Sequence, residues 1–108
     1  MTIQEFAWAV YQYCKRFDGY VTSWGRTDAH AKAVGGFAGD PHTWWRGADV
    51  GYDTGPNRVG SDGHPRLPRS CPQCAAFGLK VIHETGHDHL QPMDFPAGPV
   101  TSYNGEIR

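Results

Sequence analysis

The sequence predicts a small α+β domain: a mainly antiparallel sheet with helices packed on one side. Three observations predict it. Residues 2–17 carry apolar side chains at three- and four-residue spacing, the signature of one helical face. Short runs rich in β-branched and aromatic residues recur later in the chain, bounded by turn residues. Fourteen glycines and eight prolines imply many turns and long surface loops, not a helical bundle. A chain of 108 residues is enough for one domain, 1–108, with one modest core.

The elements follow in order. Thr2 and Glu5 fit a capping box, and Ile3, Phe6, Val10, Tyr13, Cys14 and Phe17 form the apolar face of the first helix. Asp18-Gly19 stops it. Residues 20–24 read as a strand. Thr27 caps a short helix over 28–34, which Gly35-Gly36 ends. Residues 35–45 read as a glycine-rich loop, 48–53 as a strand and 54–68 as a long loop. Ser70 caps a short helix over 71–77, with Pro72 tolerated in its first turn. Residues 79–83 read as a strand, Thr85-Gly86 as a turn or bulge, and 87–91 as the last strand. The tail from Gln91 to Arg108 holds three prolines and reads as extended.

Charge and composition exclude several classes. Net charge is −1 and the pI is near 6.6, so no broad basic field exists and nucleic acid is not the expected partner. The N-terminus has no basic start followed by an apolar run, and no run approaches the roughly 20 apolar residues of a membrane span. Synthesis in the cytoplasm without a signal peptide is the expectation. Three cysteines, Cys14, Cys71 and Cys74, argue against a disulfide framework. Cys71-Pro-Gln-Cys74 lacks the second pair of a structural zinc site and the thioredoxin-like setting of a redox motif. Helix-borne thiols packing on the sheet are the leading reading, with a local disulfide or metal role as the alternative.

The chemistry concentrates at Val81–Gln91, where three histidines and a glutamate fall within seven positions. On a strand, His87, His89 and Gln91 share one face, while Asp88 and Leu90 share the other. Two imidazoles aimed at one point begin a metal site but do not complete it. A catalytic zinc takes about three protein ligands and keeps one position open. His42 and Asp49 are the best candidates for the rest, seven positions apart across a loop–strand corner. With His89 they form a nitrogen–oxygen set suited to zinc on the sheet. Trp44 and Trp45 read as groove walls or core plugs, and His83 as a strand or rim residue outside the cluster.

The ordered pattern resembles the zinc peptidases of the D-Ala-D-Ala carboxypeptidase, lysostaphin and hedgehog group, most closely the D-Ala-D-Ala branch that includes phage endolysins. The residues that carry it are Ser23-Trp24-Gly25-Arg26, Val34-Gly35-Gly36, Pro41-His42, Gly47-Ala48-Asp49 and the late Glu84-x-x-His87-x-His89. The resemblance spans roughly residues 20–91. It implies zinc held by His42, Asp49 and His89, and Glu84 as the general base. It also implies His87 beside the metal, contacting the water or the tetrahedral intermediate, and Arg26 stabilising the oxyanion. The spacing from base to ligand varies in the group, which leaves open whether Glu84 or His87 is the main base. Two positions depart from the branch's common pattern. Asp40 stands where a serine usually helps to hold a substrate carboxylate, and Gly47-Ala48-Asp49 replaces Gly-x-Ala-x-Asp. A negative Asp40 repels a terminal carboxylate, which favours cleavage inside a peptide.

The implied activity is hydrolysis of an amide bond in the peptide part of bacterial peptidoglycan. The substrate and the action at the cell wall, after release by a holin or as part of a virion, come from the resemblance alone. The alternatives are a non-catalytic zinc-containing binding or structural module and a metal-dependent nuclease. The set of Glu84, His87 and Arg26 speaks against the first, and near-neutral charge against the second.

Overall fold

The computed structural model describes residues 1–53, 77–84 and 86–107. The expected loop over 54–68 and helix over 71–77, with His64, Cys71 and Cys74, lie outside the described residues, apart from Phe77.

Helix α1 (Ile3–Phe17) starts at the expected capping box. Thr2 Oγ1 accepts from the Glu5 amide at 3.0 Å, and the Thr2 amide donates to Glu5 Oε1 at 2.8 Å. Such a cap contributes about 1 kcal/mol. Asp18 adopts the left-handed conformation and ends the helix. Phe6, Ala9, Val10 and Tyr13 are buried, and Cys14 packs at the edge of the same cluster.

Four strands form the expected antiparallel sheet: β1 (Gly19–Trp24), β2 (Ala48–Tyr52), β3 (Leu79–Glu84) and β4 (His87–Pro92), in the order β1-β2-β4-β3. Residues directly opposite across antiparallel strands share a face. Ser23, Asp49, His89 and Ile82 therefore form one row across all four strands. The adjacent row, Trp24, Ala48, Leu90 and Val81, lies on the other face and meets α1. A bulge at Thr22 brings β1 into this register, and Thr22 Oγ1 donates to the Asp49 carbonyl at 3.2 Å. The core under α1 joins Phe6, Tyr13, Val50, Tyr52, Leu79 and Leu90.

Helix α2 (Asp28–Ala33), capped by Thr27, packs against a 3₁₀ turn at Pro41–Trp44. The sequence reading treats 35–45 as loop throughout. Asp40 at the N-cap and Pro41 in the first turn are what organise it. Trp44 is a core plug against Phe95, Val100 and Tyr103. Trp45 is half-exposed and packs edge-on against Trp24 at 5.7 Å.

The tail is not simply extended. β5 (Ser102–Tyr103) and β6 (Glu106–Ile107) form a hairpin through Asn104-Gly105. Both turn residues have positive φ, 54° and 82°, and Asn-Gly is the dipeptide that tolerates this. Fully buried Arg46 ties the hairpin down. It donates to the Met1 and Trp44 carbonyls at 3.1 and 2.9 Å, pairs with Glu106, and lies over the Tyr103 ring. Among the described residues, no helix is long and apolar enough to cross a membrane.

Candidate metal centre

The register row and the 3₁₀ turn bring His42, Asp49 and His89 together, each at most 6% exposed. His42 Nε2 lies 3.1 Å from His89 Nδ1 and 3.3 Å from Asp49 Oδ1, and His89 Nδ1 lies 3.3 Å from the same oxygen. Charge-assisted hydrogen bonds are shorter, about 2.7–2.9 Å. The edges of a tetrahedron with bonds of about 2.0–2.1 Å are about 3.3 Å. The three separations fit ligands around one ion better than optimised hydrogen bonds.

The outer contacts prepare the same atoms. Gln91 Oε1 accepts from His89 Nε2 at 2.8 Å. With its proton on Nε2, His89 presents the Nδ1 lone pair to the centre. Arg26 Nη2 donates to Asp49 Oδ2 at 3.1 Å and reaches Ser23 Oγ at 3.5 Å. This leaves Asp49 Oδ1 facing the histidines. Burial opposes the Asp49 charge, but the adjacent His42, His89 and His87 outweigh it and hold the carboxyl well below the usual range. The His42 backbone is anchored by the Arg26 amide, which donates to its carbonyl at 3.0 Å. Gly47 packs against the His42 ring, where a Cβ would come within 2.8 Å of the His42 amide nitrogen. His42 Nδ1 is buried without a hydrogen-bond partner among the described residues.

Glu84 and His87 face each other across β3 and β4, joined by the two-residue link 85–86. Glu84 Oε2 lies 2.8 Å from His87 Nε2, which is 3.6 Å from Asp49 Oδ1. Both residues line a cleft of about 410 Å³ whose floor holds His42, Asp49 and His89. Asp49, Glu84 and His87 are a second convergent group, but Arg26 already holds the outer oxygen of Asp49.

All six residues singled out from the sequence thus stand at one cleft: His42, Asp49, His89, Glu84, His87 and Arg26. Arg26, implied as the partner of the oxyanion, also pairs directly with Asp49. His83 points away from the cluster, into a network on the α1 face. There Tyr13, Tyr52, Asp88 and His83 are linked by contacts of 2.7 Å. Burial, reinforced by Tyr13 and Asp88, drives the Tyr52 hydroxyl far above its ordinary pKa. The sequence reading misses Gln91 and Ser23 as site residues. Strand alternation places Gln91 on the His89 face, which was the available signal.

The described residues contain a buried His/Asp/His set that could hold a metal ion. No family model matches this chain, and no curated protein or solved structure matches it.

Proposed function

We propose that the protein is a zinc-dependent peptidase that hydrolyses an amide bond in the peptide part of bacterial peptidoglycan, within the chain rather than strictly at its end. The observation that carries this reading is the Glu84–His87 pair beside the His42, Asp49 and His89 set in one open cleft. Two imidazoles and one carboxylate suit zinc by ligand chemistry, and three protein ligands leave a position for substrate or water. Zinc in such a set polarises a carbonyl and acidifies water.

The protein's own groups divide the remaining work. Glu84, half-exposed at the cleft wall, takes the proton of the attacking water and returns it to the leaving amine. His87 orients that carboxylate through the 2.8 Å contact. Arg26 holds Asp49 in place, and its charge at the cleft stabilises developing negative charge on the carbonyl oxygen. The wall substrate rests on the resemblance of the ordered motifs.

Zinc-loaded protein should release new amino termini from isolated peptidoglycan. Glu84→Ala should retain zinc and lose the release, and His89→Ala should lose zinc while staying folded. Zinc-loaded protein that is inert on several wall types, with Glu84→Ala no different, would refute the peptidase reading and leave a binding module.

A further inference from the structure

Asp40 caps the 3₁₀ turn two residues before His42 and is only 6% exposed. Its Oδ1 accepts from the Thr43 amide at 3.1 Å. Its Oδ2 has no hydrogen-bond or ion-pair partner among the described residues. The side chain lines the cleft beside Gly36 and Phe37. A Cβ at residue 36 would lie 2.4 Å from Oδ2, so glycine there leaves that oxygen in its present place. Asp40 is not one of the converging metal-ligand groups. Arg26, the arginine of the cleft, is engaged by Asp49.

With Oδ1 capping the turn, Asp40 keeps Oδ2 open to the cleft, where a ligand that displaces water favours a cation as its partner. The other buried carboxylates of the described residues have both oxygens engaged: Asp49 by Arg26 and the site histidines, and Asp88 by Tyr52 and His83. Asp40 Oδ2 faces the cleft with no such partner among the described residues. Its missing partner fits a group that arrives with the ligand.

We propose that Asp40 is a specificity residue that receives a primary ammonium group of the bound peptide. This rests on the peptidase reading and goes beyond exclusion of a terminal carboxylate, because it names the group that is selected. Wall peptides carry such an amine on the side chain of their diamino acid and at a free α-amino end. The shared chemistry is a compact cation with several donors.

The test uses calorimetric binding to zinc-loaded Glu84→Ala protein, in which the peptide survives. The probes are alanyl-γ-glutamyl-lysyl-alanine, its Nε-acetyl form and its Nα-acetyl form. One acetylation should weaken binding at least about tenfold, and which one identifies the amine. Adding Asp40→Asn should abolish the difference. Asparagine keeps Oδ1 for the Thr43 amide and remains a good N-cap, so the turn is preserved. Equal binding of all three peptides, no binding of any, or a preference that survives Asp40→Asn would overturn the proposal. Turnover by the unmutated protein is read separately. An acetylation penalty without cleavage keeps the Asp40 assignment and fails the peptidase reading. Cleavage without a penalty does the reverse.

Discussion

Gln91→Leu tests the metal centre through a residue that touches no ion. The substitution keeps a side chain of comparable bulk and removes the acceptor of the 2.8 Å bond from His89 Nε2. The proton on that nitrogen is then free to move to Nδ1, the atom that faces Asp49 and His42. Loss of such an outer partner costs about 10- to 100-fold in metal affinity. That range corresponds to about 1.4–2.8 kcal/mol. Gln91 is only partly buried, so water replaces some of the lost bond and the lower end is expected. Competition with a chromophoric chelator should show zinc affinity down about tenfold. The metal-free protein should melt near the wild-type temperature, because Gln91 lies outside the core cluster. Gln91→Glu supplies a stronger acceptor and should bind zinc at least as tightly as wild type. Equal affinities for Gln91→Leu and wild type would refute the tautomer argument and, with it, Nδ1 of His89 as the ligand atom.

Three other outcomes follow from the packing and the charges. Leu90→Ala should destabilise the protein by about 2–5 kcal/mol in denaturant melts, since Leu90 is fully buried under α1, and a cost below about 1 kcal/mol would contradict that core. The Arg46 guanidinium holds the Glu106 carboxyl below its ordinary pKa, so its contribution is present above the unfolded value near about 4.3 and is lost as pH falls through the lower folded value. Wild type should therefore lose more stability than Glu106→Gln on acidification through that window, and parallel pH–stability curves would exclude the pairing. Burial pushes the Cys14 thiol up to about 11, which leaves about a hundredfold less thiolate at pH 8 than its ordinary value of 9.0 would give. Iodoacetamide should label Cys14 slowly in folded protein and quickly in urea, as read by peptide mapping, and equal rates would show that the thiol is not held in the α1 face.

Much of the fold was legible because its signals are local. Thr2 and Glu5 mark the start of α1, and Asp18-Gly19 marks its end. Alternation along β4 put His89 and Leu90 on opposite faces, as the structure has them. The candidate site was legible as a set of residue types, His42, Asp49, Glu84, His87 and His89, but not as a geometry. The β5–β6 hairpin was missed although Asn104-Gly105 announces it, because the prolines nearby favoured an extended reading. The 3₁₀ turn was missed because a four-residue element has no periodicity to detect.

By itself, the sequence determined the class of domain, the amphipathic first helix, the strands of the four-stranded sheet and a short list of side chains that could hold a metal. These follow from periodicity, capping and ligand chemistry, which neighbouring residues decide among themselves. Only the tertiary structure decided that Ser23, Asp49, His89 and Ile82 form one row, that Gln91 orients His89, and that Arg26 holds Asp49. It also decided that Asp40 faces the cleft with one oxygen unpaired among the described residues and that Arg46 ties the tail to the N-terminus. Those facts depend on the bulge at Thr22, on strand register and on how the 3₁₀ turn docks. Each is set by contacts between residues far apart in the chain, so no short stretch of sequence contains it.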